Sequence, residues 1–154
     1  MSDVSTWSIT AASNNSAPPD GAPEGMAPSS LNDTMREFMA AIARYYREGI
    51  NQNSQSSNYT LVLTDANKHI LHPSGAGAGD IFTIPANASV AFPIGTCVTF
   101  VNDDSSAVSI AITSDVLTMA GTALNGTRSL AQNGLATVLK ITATKWLISG
   151  VGLS

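Results

Sequence analysis

The spacing of apolar residues changes once along the chain, near residue 50. Before that point Leu31, Met35, Phe38, Ile42 and Tyr45 stand 4, 3, 4 and 3 apart, the spacing of a helical seam. Met39 and Tyr46 widen that seam into a broader apolar stripe. Ser30 is a good N-cap, Asp33 follows it at capping-box distance, and Pro28 stands just outside. Gly49 supplies a stop, so the pattern predicts an amphipathic helix over residues 30–49. A helix this short is marginal alone in water, so its seam must pack on its own domain, on sister chains or on a host protein.

After residue 57 the period becomes two. "YTLVLT" (59–64), "KHILH" (68–72), "DIFTI" (80–84), "CVTFVN" (97–102), "AVSIAIT" (107–113), "LATVLKIT" (135–142) and "KWLISG" (145–150) read as strands, being rich in β-branched and aromatic residues. "SGAGAG" (74–79), "NDDSS" (102–106), "LNGT" (124–127) and "QNG" (132–134) separate them as turns. Many short strands without helical pattern between them predict a mainly β domain over 58–154, an antiparallel β-sandwich or small barrel. "NQNSQSS" marks residues 50–57 as a polar linker. Residues 1–29 hold too little apolar surface to order themselves, and Pro18, Pro19, Pro23 and Pro28 bias them towards extended geometry. They read as an extended Pro/Gly-rich arm that loses little entropy when laid along a partner.

Charge narrows the function. Charged residues make up 12% of the 154-residue chain, against about 25% in ordinary domains. With 7 Lys+Arg and a net charge of -4, no basic patch for nucleic acid is expected, nor a polybasic tail for anionic lipid. No apolar run reaches membrane-spanning length, and "MSDVSTWSIT" is not a secretory leader, so synthesis in a cytoplasm is expected.

Residues that could carry chemistry are few. His69 and His72 would point to opposite faces of a strand, which disfavours a shared metal and suggests surface or edge positions. "GAGAGD" lacks the Lys-Ser/Thr of a phosphate loop and reads as a flexible loop. Asp103 and Asp104 suit an Asx-type turn. Cys97 stands alone in an apolar strand and reads as buried and inert. Carboxylate pairs for glycoside hydrolysis would have to come from Asp65, Asp80, Asp103, Asp104 and Asp115. Trp146 reads as a core or interface residue. No catalytic residue, metal site or cofactor is expected.

"TWSITAASNNSAPPDGAPEGMAPSSLNDTMREFMAAIARYYREG" (6–49) resembles the N-terminal segment of many tailed-bacteriophage tail-fibre and tail-spike-type proteins. Trp7, Pro18, Pro19, Asp20, Gly21, Glu24, Gly25, Met26 and Pro28 sit where that pattern places its virion-docking arm. Leu31, Met35, Phe38, Met39, Ile42 and Tyr45 supply the helix and oligomer seam. More loosely, the β region resembles the β-domains of phage fibres. The resemblance implies a virion part and not an enzyme, a homotrimer partnered with tail, portal/adaptor or capsid proteins. Such segments usually lead into much longer chains, so the expectation is a short fibre or fibre adaptor, with a capsid decoration or head-fibre protein as an alternative. A further alternative is a module binding a host-surface glycan.

Overall fold

The computed structural model describes Ala27, Pro28, Leu31, Met35, Phe38 and residues 49–154. The chain divides into two units, Met1–Gly49 and Ile50–Ser154.

In the first unit Pro28, Leu31, Met35 and Phe38 have helical backbone. The Leu31 N–H donates to the Ala27 carbonyl at 3.1 Å, one helical turn back. The turn therefore opens at Ala27, with Pro28 inside it and not outside as expected. Proline is suited to that place, because its fixed φ is helical and its missing N–H would have found no partner there. Ser30, Met39, Ile42 and Tyr45 lie outside the described residues, as do Trp7, Pro18, Pro19, Asp20, Gly21, Glu24, Gly25 and Met26.

The second unit is a curled mixed sheet. Its strands are β1 (Gln52–Ser54), β2 (Tyr59–Thr60), β3 (His69–His72), β4 (Ile81–Ile84), β5 (Cys97–Asn102), β6 (Val108–Ile112), β7 (Val116–Met119), β8 (Arg128–Thr142) and β9 (Lys145–Leu153). They lie in the order β1-β3-β5-β8-β6-β4-β2, with β9 on β8 and β7 on β9. The chain visits two arms alternately. β1, β3 and β5 build one parallel arm, and β2, β4 and β6 build the other. β8 then runs antiparallel to both, pairing residues 134–139 with β5 and 128–130 with β6.

This corrects the expected antiparallel sandwich or barrel. An antiparallel domain would need these turns to join neighbouring strands, whereas "SGAGAG" and "NDDSS" are corners that carry the chain from one arm to the other. The segments 68–72, 80–84, 97–102 and 107–113 do hold strands, since period-two burial does not depend on strand direction. By contrast, 59–64 is a strand only at Tyr59–Thr60 before a 3-10 turn, the expected turn at 132–134 lies within β8, and Val116–Met119 is a further strand. The supposed linker is also corrected. Its residues 52–54 form β1, paired in parallel with His69–Leu71. Polar composition concealed it because its neighbours bond to its carboxamides and backbone and do not rely on an apolar face.

The core is built from inward-facing residues of these strands. Along β5, Val98, Phe100 and Asn102 point inward and are fully buried. Cys97 faces outward and is half-exposed, not buried. Phe82 stacks on Phe100 with ring centroids 6.1 Å apart. Phe92 meets Trp146 edge-on at 5.7 Å. Each large side chain fully buried in this way contributes roughly 1.5–3 kcal/mol.

β8 bends where it passes from one arm to the other. Its register against β9 shifts between Leu130 and Leu135, and Asn133 there takes the left-handed conformation at φ 59°. Beside the bend, Gly150 of β9 lies so close to β8 that a Cβ would collide with the Leu135 carbonyl oxygen and come within 2.5 Å of Ala136 Cα. Backbone cannot yield as a side-chain tip can. Gly150→Ala should therefore destabilise the unit by roughly 1–3 kcal/mol, the usual range for overpacking. Gly49→Ala, with nothing within 4 Å of its added Cβ, should leave the denaturation midpoint in place. Equilibrium chemical unfolding of both variants checks the contrast.

Candidate functional site

Of the residues expected to dock or associate, Pro28, Leu31, Met35 and Phe38 are described. Leu31 is 49% exposed and Met35 53% exposed, which is high for large apolar side chains on a helical backbone. Positions 31, 35 and 38 share one helical face. Pro28 is exposed and Phe38 is half-buried. The structure thus brings together the first half of the expected seam and leaves its first two apolar members open to solvent.

The β unit holds three polar centres, each built by strand parity and a nearby turn. The first is Asp65, at the end of a single 3-10 turn (Leu63–Asp65) and 1% exposed. Tyr59 Oη donates to its Oδ2 at 2.7 Å, Asn53 Nδ2 donates to its Oδ1 at 2.9 Å, and the Val62 N–H donates to its Oδ2 at 2.9 Å. Burial, and then the hydrogen bond to Asp65, push the Tyr59 phenol up to about 12.

The second centre is His72. His69 and His72 do point to opposite faces, but His72 is fully buried in an interior strand, contrary to the expected surface or edge position. Its Nδ1 lies 2.9 Å from Asn102 Oδ1 and its Nε2 lies 3.1 Å from Asp80 Oδ2. The Asn102 carboxamide is oriented by backbone groups. Its Nδ2 donates to the Ser106 and Leu130 carbonyls at 2.9 and 3.0 Å, and its Oδ1 accepts the Asp104 N–H at 3.1 Å. Both ring nitrogens of His72 therefore face side-chain oxygens. The edge of the ring meets Phe82 at 5.6 Å.

Asp104 completes this corner. Its Oδ1 accepts the Ser106 N–H at 2.8 Å, the expected Asx-type turn. Its Oδ2 accepts the Gly75 N–H at 2.8 Å, so the glycine loop is tied down where a free, flexible loop was expected. Gly75, Gly77 and Gly79 all have positive φ, which lets the loop aim backbone donors at a carboxylate of the same chain. These donors, the Ser106 N–H first, hold the Asp104 carboxyl below its ordinary range.

The third centre is Lys140, 1% exposed, on the inward parity of β8 after Ala136 and Val138. Its Nζ donates to Asn87 Oδ1 at 2.6 Å and to the Phe92 carbonyl at 2.9 Å, and lies 5.6 Å from the centroid of the Trp146 ring. Trp146 is itself 1% exposed, a core residue of its own domain. Lys140 and Asn102 were missed in the sequence, although both share parity with buried neighbours. Among the described residues no group of three or more His, Cys, Asp or Glu side chains is placed to hold a metal ion.

No protein-family model, curated protein or solved structure matches this chain.

The phenol of Tyr59 gives a test of the first centre. Its proton-bound form is favoured by folding, so its contribution to stability is complete below about pH 10 and is lost as pH rises through about 12. An ultraviolet titration of phenolate absorbance should show a step near 12 that disappears in Tyr59→Phe. A Tyr59→Phe titration that kept this step would contradict the assignment.

Proposed function

We propose that the chain is a non-enzymatic phage virion structural protein, a short homotrimeric fibre or fibre adaptor docked to the virion by its N-terminal arm and helix. The observation that carries the reading is the exposure of Leu31 and Met35 on a helical backbone directly after the Pro/Gly-rich arm. Apolar residues at helical spacing lose favourable burial when left in water, and self-association or a virion partner restores it. The sequence resemblance of residues 6–49 supplies the context. Its partners on this reading are copies of itself and tail, portal/adaptor or capsid proteins, and its place is the virion.

The internal use of ionisable groups favours a structural role over an enzymatic one. Asp65, Asp80, Asp104 and Asp115 each accept a hydrogen bond from, or contact, a group of the same chain. A capsid decoration or head-fibre protein would use the same attachment features and is the second reading. Glycan binding draws less support, because Trp146 is buried and the Tyr59 hydroxyl is engaged by Asp65. The low count of 7 Lys+Arg favours neither nucleic acid nor an anionic membrane as partner. No described helix is long and apolar enough to cross a membrane.

Deletion of residues 1–29 should leave a folded β unit that no longer incorporates into particles. Normal incorporation of the truncated protein would sink the docking reading. Native mass spectrometry should show a trimer for the full chain, and a Leu31→Glu/Met35→Glu double variant should shift it to monomer at micromolar concentration. A wild-type monomer under those conditions would contradict self-association through the seam.

A further inference from the structure

Lys140 poses a physical problem that none of its neighbours resolves. The alternation of β8 carries its side chain into the core, where only 1% of it remains accessible. Its Nζ is bonded to two neutral oxygens, Asn87 Oδ1 and the Phe92 carbonyl, and faces the Trp146 ring. The ion pair found among the described residues joins His72 to Asp80 and does not involve Lys140. Burying an ammonium with no opposite charge is expensive even when it is hydrogen-bonded. The group it touches most closely is a carboxamide, at 2.6 Å, and a carboxamide carbon is an acyl centre that an amine can attack.

We propose that Lys140 and Asn87 form an intramolecular isopeptide cross-link. The new bond joins Nζ of Lys140 to Cγ of Asn87, and the bond between Cγ and Nδ2 breaks. Ammonia is the leaving group. Starting from the ammonium form, the surplus proton departs with that nitrogen, so the products are a neutral secondary amide and an ammonium ion in solvent. Nothing is oxidised or reduced, and no co-reactant is required. The step converts an unmatched buried charge into an uncharged amide whose carbonyl and N–H can remain hydrogen-bonded inside the fold.

The surroundings suit this chemistry. Nζ is confined by Phe92 and Trp146, so the amine is held against its target, and such confinement raises the effective concentration of an intramolecular nucleophile by orders of magnitude. Asn87 is held from its backbone side, its N–H donating to Asp115 Oδ2 at 2.9 Å. Asp115 is thus a positioning residue for the acceptor. Asn87 is only half-buried, which leaves the departing ammonia a path to solvent. Attack on the carbonyl face needs a rotation of the amide about its terminal torsion, which is soft for asparagine. The cross-link would tie β8 to the loop after β4, across 53 positions of sequence. It stands independently of the virion reading.

Mass spectrometry of the full chain, denatured and digested, tests the proposal. A branched peptide should contain both Asn87 and Lys140 and weigh about 17 Da less than its two parts together, the mass of one ammonia. Reading the loss on the peptide removes any ambiguity from processing of the N-terminus. Asn87→Ala and Lys140→Met should each abolish the branched species. Asp115→Ala should slow its appearance in a time course, and Asp115→Asn, which keeps an acceptor oxygen, should restore the rate. The proposal is overturned if, after prolonged incubation of the folded wild-type protein, the two peptides are recovered separately and Lys140 reacts with an amine reagent once unfolded. That outcome needs no variant to fold.

Discussion

The carboxamide of Asn102 is buried where β3, β5, the turn after β5 and β8 converge, and it has a hydrogen-bonding partner on β3, in that turn and on β8. It receives His72 from β3, accepts the Asp104 N–H, and donates to Ser106 in the turn and Leu130 in β8. Backbone pairing holds strands side by side but does not decide how the two arms meet at a corner. A side chain whose donors and acceptor are all engaged in a buried place does decide it, because every alternative leaves a polar group unpaired at about 1–3 kcal/mol each. From this point the Gly75 loop is anchored through Asp104, and the long β8 is led from one arm to the other.

The same logic recurs at Asp65 and Lys140. In each case strand parity or a short turn carries a polar side chain inward, and nearby backbone or amide groups close around it. The domain therefore uses its low charge content economically. Several of its few ionisable residues form internal joints, and the exposed surface carries large apolar side chains such as Ile94, Leu124 and Val151 beside hydroxyl and amide groups. Such a surface is compatible with close packing against other copies or other proteins, where stranded charges would be a penalty.

How much of this could be read from sequence varied by element. Strand positions such as 97–102 and 107–113 were legible because alternation of Val98, Phe100, Val108 and Ile110 is local information. Strand direction was not, because "SGAGAG" and "NDDSS" have the composition of hairpin turns and differ from them only in what the following strand pairs with. β1 was invisible for a related reason, as "NQNSQSS" carries no apolar residue and its order comes from His69–Leu71 and from Asn53 bonding to Asp65. The polar centres had a readable sign that composition obscured. Lys140 shares parity with Ala136 and Val138, and Asn102 shares it with Val98 and Phe100, so a strict reading of alternation would have placed both inside. Of the expected seam, Leu31, Met35 and Phe38 are found on helical backbone, the first two of them exposed.

The alternating visit to two arms has a consequence for how the chain acquires its structure. Neither parallel arm can be closed by its own sequence neighbours, since β8 lies between β5 and β6 and is made after both. During synthesis, six strands must wait with open edges until residues 128–142 emerge. Pairing at such long sequence separation is slow to nucleate, and exposed edges invite pairing with the wrong chain. The two outermost strands of the waiting arms, β1 and β2, are only three and two residues long. Among the described residues these edges stay unpaired at the ends of the β1-to-β2 order in the finished sheet as well, and so little edge gives a stray strand few hydrogen bonds to hold.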